Sequence, residues 1–164
     1  MSDAVLFPGV VLPLHIFEPC YRDMVSDAMA SHQSLVVVKT AAQPRGAQAP
    51  AMCEVGCMAK IIHAEPLPEG RFNVLVQGTD RFRLVQEVVG SRPYRSFCGD
   101  IIERPDAPAV HAARAELMRL HSCVYTLGNA AAHCDQELVE VLHSTADPIA
   151  LADILAAVLV NNPA

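Results

Sequence analysis

Cys53 and Cys57, four residues apart in Cys53-Glu54-Val55-Gly56-Cys57, are the first pair whose types could hold a metal ion. A zinc ion needs each sulfur about 2.3 Å away, yet residues four apart on a strand stand roughly 13 Å from each other. Because the surrounding residues read as the start of a strand, the spacing argues against a metal. Thiol catalysis has two further candidates, His121-Ser122-Cys123 and His133-Cys134-Asp135, since a nearby imidazole can generate the nucleophilic thiolate. Sequence neighbours on a helix point in different directions, however, and nucleophile–base pairs are assembled in space rather than along the chain. A His near a helix end beside a buried Cys accounts for both runs. Glu137 and Glu140, three apart, share a helix face, but the hydrated side of a short amphipathic helix explains them without acid–base chemistry. Arg81 and Arg83 leave one face of a strand, and Arg71 is expected across from them. That positive stripe could meet phosphate or RNA, or could simply pair with Asp80 and Glu87.

Other chemistry has no footing in the sequence. There is no GxxxxGK[ST] or GxGxxG loop to cradle phosphates, no Gly-x-Ser-x-Gly and no HExxH, which lowers the case for a nucleotide-dependent enzyme or a common hydrolase. No cofactor is expected. The 164 residues are enough for one sizeable core, and 52% hydrophobic against 18% charged residues excludes a disordered chain. With 5% aromatics and no Trp, a base-stacking platform is disfavoured. A net charge of −6 repels a phosphate backbone, so nucleic acid is a poor fit as partner. The charge is uneven: residues 106–164 hold two Lys or Arg against seven Asp or Glu, whereas residues 1–105 are nearly balanced. Without a signal peptide or an apolar run of roughly 18–20 residues, the chain is expected in the cytoplasm. Its six cysteines should then be free thiols serving as small core residues.

The elements that would position these groups change character along the chain. Residues 5–14, broken by Pro8, Gly9 and Pro13, suit strand and loop, and Tyr21, Met24, Val25, Ala28 and Met29 form the apolar stripe of a helix over 18–30. Leu35–Val38 reads as a strand, and residues 41–52 as a long loop. From Glu54 to Glu103 the pattern is a meander of antiparallel strands: Val55–Ala64, then Phe72–Gln77, a turn at Gly78-Thr79-Asp80, a strand through Val88, and a last one over 95–103. After Pro105 the period becomes helical. One helix runs from Asp106 and Pro108 to a stop at Gly128-Asn129, a shorter one follows Asp135, and a third starts at Asp147-Pro148. Strands first and helices last predict an α+β fold with a β-rich part over 1–105 and a helical part over 106–164.

Three ordered blocks carry a resemblance. Leu6-Phe7-Pro8-Gly9 followed by Leu12-Pro13-Leu14-His15-Ile16-Phe17-Glu18-Pro19-Cys20-Tyr21-Arg22 is the first; Val55-Gly56-Cys57-Met58-Ala59-Lys60-Ile61 the second; Leu67-Pro68-Glu69-Gly70-Arg71-Phe72 with Gly78-Thr79-Asp80-Arg81-Phe82-Arg83 the third. Together with a weaker echo in Leu151-Ala152-Asp153-Ile154-Leu155-Ala156, they resemble the N-terminal, substrate-recognition domain of Lon proteases, in the version found as stand-alone bacterial proteins. The resemblance implies a PUA-like antiparallel β pseudo-barrel with one early helix, followed by a C-terminal helical subdomain. It also implies that the ATPase motor and the Ser–Lys peptidase belong to later domains that this chain lacks. Two departures stand out. Cys20 occupies a position where the family commonly has Arg, and only Met1–Ala4 precede the first block where the family usually has another strand. A missing strand would leave a sheet edge uncovered and open to pairing, including weak homodimerisation.

The resulting expectation is a non-catalytic module that binds unfolded or degron-bearing polypeptide or a protein partner. Its contact region is expected at the loop around Pro44, Arg45 and Met52, where an adaptable, weakly polar segment could meet varied sequences. The alternatives are an RNA-binding PUA-like domain using Arg71, Arg81 and Arg83, and a small cysteine hydrolase using Cys134 or Cys123.

Overall fold

Prolines and short apolar runs set the first boundaries. β1 (Val11–Ile16) contains Pro13, which cannot donate to a ladder and so belongs on an outer strand. α1 (Pro19–Met29) opens on Pro19, whose fixed φ suits the first turn, and buries Val25 and Ala28. The β-branched run that follows forms β2 (Ser34–Val37). The coordinates, a computed structural model, describe residues 5–41, 51–130, 140–142 and 144–161. The chain divides into two compact units, 1–103 and 104–164.

In the first unit, β3 (Val55–Pro66), β4 (Phe72–Val88) and β5 (Ser96–Ile102) join β1 and β2 in one five-stranded antiparallel sheet. β4 is its centre, flanked by β3 on one side and by β1 and then β5 on the other. β3 and β4 meet through the tight turn at Pro68–Gly70, where Glu69 and Gly70 both have positive φ. The Arg22 guanidinium, reaching over from α1, donates to the Glu69 carbonyl and braces that turn. One face of the sheet, with α1, encloses Leu6, Ile16, Val25, Ala28, Cys57, Ala59, Ile61, Val74 and Val76.

β4 corrects the sequence reading. Gly78-Thr79-Asp80 is not a turn between two strands; β4 runs unbroken through it for 17 residues. Straight, such a strand would span roughly 55 Å, whereas a unit of about this size is only roughly 35 Å across. Bulges bend it. Ala59 faces Gly78 while Cys57 faces Arg81, so Thr79 and Asp80 together stand opposite Met58; a second shift leaves Val85 extra against β5. An unpaired extra residue sharpens twist and curls the strand around its core. Gly78 serves a different need, close approach of the N-terminal segment: Gly9 N–H donates to its carbonyl at 2.8 Å and its own N–H donates to Val10 at 2.9 Å.

The second unit contains α2 (Ala107–Ala112), α3 (Arg114–Ala130) and α4 (Pro148–Asn161). The single helix expected from Asp106 is broken at Ala113, and its expected stop at Gly128-Asn129 falls inside α3, which continues to Ala130. The helix expected after Asp135 starts outside the described residues. Asp106 and Asp147 act as N-caps, accepting from Ala109 and Ile149 at 3.0 Å each. Leu117, Leu142 and Leu151 form a separate small core with Ile154 and Leu155 against it.

Asp147 also pairs with Arg104. Partial burial pushes its carboxyl up, but the Arg104 guanidinium and the amides of Ile149 and Ala150 outweigh this and hold its pKa below the ordinary value. A carboxyl depressed in the folded state stabilises fully above its unfolded pKa and loses that contribution as pH falls through the folded one. The helical unit should therefore weaken as pH drops below about 4, and Asp147→Asn should flatten this part of the acid limb. Solvent screening at this half-exposed pair keeps the effect under about 1 kcal/mol, readable as melting temperature against pH.

The cysteines also differ from expectation. Of the five described, only Cys57 is buried; Cys20 and Cys53 are half-buried, and Cys98 and Cys123 are exposed. Cys98 is exposed because it lies on β5, paired with Gln86 on the distal half of β4, outside the core cluster.

Candidate functional site

The sheet face opposite the core is one place where apolar side chains stand in water. Alternation along β1 turns Leu12, Leu14 and Ile16 inward and leaves Val11, Pro13 and His15 outside. On β4 the outward residues are Asn73, Leu75 and Gln77. The register aligns them in rows: Val11 with Gln77 and Lys60, Pro13 with Leu75 and His63, His15 with Asn73 and Glu65. β3 would offer His63 alone in the middle row, but Ile61 pairs with Val76 and His63 with Leu75, leaving Ile62 as an extra residue. Ile62 and His63 therefore both stand on the solvent side opposite Leu75. Phe17, just past β1, stacks on His15 with ring centres 6.0 Å apart. Exposures of 53% for Phe17, 49% for Ile62, 45% for Val11 and 36% for Leu75 make an apolar patch of the kind that marks interaction surfaces.

Polar rows flank its centre of Pro13, Leu75 and Ile62, with Val11 standing in one row and Phe17 just beyond the other. The Glu65 carboxylate can only accept, so it fixes the Asn73 amide with its nitrogen toward Glu65, at 3.3 Å. The Asn73 oxygen then faces His15 Nδ1 at 2.8 Å, and that nitrogen must carry the proton. The His15–Asn73–Glu65 row is thus a directed chain of hydrogen bonds along one side, with Lys60 and Gln77 on the other. An apolar centre inside a polar rim is how recognition surfaces are built. β1 also ends the sheet order, pairing with β4 and with no other strand among the described residues.

The residues singled out from sequence fall elsewhere. Met52 bridges Thr40 near the far end of the β2–β3 ladder, ten residues before Ile62 along the chain, while Pro44 and Arg45 lie outside the described residues. The three arginines are not brought together. Arg81 pairs across to Cys57 and Ile102, and Arg83 to Val55 and Asp100. Arg71 sits at the β3–β4 turn, up to roughly 30 Å of extended chain away, bonded to the Pro68 carbonyl at 3.2 Å. Of the thiol candidates, Cys134 and His133 lie outside the described residues. Cys123 is exposed on α3, and His121, two positions earlier, contacts the Thr145 carbonyl through Nε2 at 3.2 Å. Two positions on a helix are about 200° apart, so this imidazole and thiol diverge. No group of three His, Cys, Asp or Glu that could hold a metal occurs among the described residues. The outer-face patch escaped the sequence reading because Ile62 looks like one more buried residue of an apolar run until the bulge is known.

A bent antiparallel sheet with one early helix, followed by a helical unit, defines an α+β domain of the type found at the N-terminus of Lon proteases. The N-terminal domain of a Mycobacterium avium complex Lon protease superposes with a TM-score of 0.69 at 19% identity, covering 100% of this chain and 88% of that one. A Lon N-terminal domain protein from Xanthomonas campestris gives 0.50 at 20% identity, covering 94% and 93%. In sequence, the Lon protease of Roseiflexus castenholzii is 29% identical over 99% of this chain and 20% of its own length. Lon protease 2 of Myxococcus xanthus is 30% identical over 96% and 19%. The chain thus spans about one fifth of the length of these relatives. The ATP-dependent protease La (LON) substrate-binding domain matches residues 1–164, and the chain belongs to that family. No helix among the described residues is long and apolar enough to cross a membrane.

Proposed function

We propose that this domain is a non-catalytic recognition module that docks extended, apolar segments of unfolded polypeptide on the outer face of β1, β4 and β3. The observation that carries this reading is the solvated apolar group of Pro13, Leu75 and Ile62 between two polar rows, extended by Val11 within one row and by Phe17 just beyond the other. An extended segment laid there gains side-chain burial on the face and backbone pairing at the β1 edge. The same edge offers a second copy of the chain a weak dimer contact. Membership of a substrate-binding family agrees with this role. The β2–β3 connection carrying Pro44, Arg45 and Met52 contributes a second, adaptable contact in this reading. The described cysteines, all free thiols, suit a reducing cytoplasm.

The test is fluorescence anisotropy with labelled, reduced and carboxymethylated α-lactalbumin. Ile62→Lys with Leu75→Lys is expected to weaken binding about a hundredfold, from the lost burial of two side chains. Both sites are surface positions, so the melting temperature should hardly move. Unchanged affinity in the folded double variant would refute docking at this face; loss only on deleting residues 42–50 would move the contact to the connection between β2 and β3.

A further inference from the structure

Two of the three arginines of the acidic helical unit, Arg104 and Arg114, line one groove. Residues 106–164 contain only two arginines, Arg114 and Arg119. Arg114 lines an open groove of about 810 Å³ together with Arg104, His111, Met118, His121 and Ile149. Arg114, Met118 and His121 follow one another at spacings of four and three, the repeat of one face of α3, and His111 stands on α2, before the break at Ala113. They run along α2 and α3, and residues 146–149 at the start of α4 supply the other wall.

The polar groups of the groove are not equally available. Arg104 is committed to Asp147, and Asp147 to Arg104 and the α4 cap. Asp147 is thereby neutralised and does not oppose an incoming anion. His121 is engaged with the Thr145 carbonyl. Arg114 and His111 have no side-chain hydrogen bond or ion pair among the described residues, and they stand beside apolar Val110, Leu117, Met118 and Ile149.

From this juxtaposition we infer that the groove takes a carboxylate attached to an apolar side chain: a polypeptide segment presenting a C-terminal or acidic-residue carboxylate beside an aliphatic residue. A guanidinium presents paired donors matched to a carboxylate. One strong cation among apolar walls suits a monoanion, whereas a polyphosphate needs several cations and would meet the negative charge of the surrounding unit. The volume is that of a pocket for a few residues' side chains. The assignment of the ligand as polypeptide rests on the recognition role proposed above, but the groove lies in the helical unit and is separate from the outer sheet face.

Three fluorescein-labelled octapeptides ending in Ala-Leu-Leu test it by anisotropy: the free acid, its C-terminal amide, and the amide with one internal Glu. The free acid is expected to bind about tenfold tighter than the plain amide, the worth of a charge-assisted hydrogen bond. Arg114→Gln should erase that preference with helical ellipticity retained, and Met118→Glu, which adds a like charge at an exposed position, should erase it too. Binding of the Glu-containing amide at the acid's level assigns a side-chain carboxylate; binding at the plain amide's level assigns the chain terminus. Equal binding of acid and plain amide to the unaltered protein, or a preference that survives both substitutions, overturns the inference. The Ile62→Lys, Leu75→Lys variant separates the two sites. Retention of the acid preference there while α-lactalbumin binding is lost supports both, and loss of the preference with the groove substitutions but not with the sheet-face pair supports the groove even if α-lactalbumin binding at the sheet face fails.

Discussion

Gly78→Val is expected to destabilise the sheet unit by about 3 kcal/mol or more, enough to prevent folding of a marginal domain. A Cβ built at Gly78 collides with the carbonyl of Phe7 and comes within 3.0 Å of Cys57 Sγ. A side-chain obstacle could rotate away, but Phe7 contributes backbone, held by the two hydrogen bonds between residues 9–10 and Gly78. Relief would require the N-terminal segment to lift off, uncovering Leu6, which is part of the core. Gly90 is the control: nothing lies within 4 Å of a Cβ there, so Gly90→Ala should leave stability unchanged. Urea denaturation of the three proteins decides the matter, and a Gly78→Val midpoint equal to that of the parent would refute the close-approach account.

Leu151→Ala should have a comparable effect on the helical unit. Leu151 is fully buried on α4, and its neighbours in the cluster are Leu117 and Leu142 with Ile154 and Leu155. Removing a buried leucine side chain costs about 2–5 kcal/mol through lost transfer energy and the cavity left behind. Leu117 and Leu142 are the other buried members of this cluster among the described residues, so the cavity opens onto both and the loss should lie near the upper end. Helical ellipticity followed against urea measures it. A shift smaller than that of Leu159→Ala, on the exposed side of the same helix, would contradict the assignment of the core.

These two positions also show what the sequence could and could not disclose. Leu151 is readable because its helix carries explicit local signals: Asp147 at the cap, Pro148 in the first turn, then apolar residues at helical spacing. The order of strands and helices, and with it the fold class, follows from such signals. Gly78 is misread because glycine followed by Thr and Asp has the composition of a turn, and only a contact 71 residues away in sequence, with Phe7, shows why glycine is needed inside a strand. The break between α2 and α3 falls at Ala113, the residue with the best helix propensity, so nothing local announces it. The candidate site suffers most. Its outer-face members are ordinary strand residues whose exposure depends on register, while Arg71, linked to Arg81 and Arg83 by type and alternation, is held at the β3–β4 turn away from those two on β4.

The bulge at Ile62 has a consequence for how such a surface diversifies. Side-chain period two means that one inserted or deleted residue swaps the faces of everything beyond it until the register recovers. Because Ile61 and Ala64 keep their pairings with Val76 and Val74 on either side, the interior is blind to what stands at position 62. A lineage could therefore lengthen, shorten or rewrite this single position by insertion and deletion, giving the outer face a new surface while the hidden half of the sheet goes on unaltered.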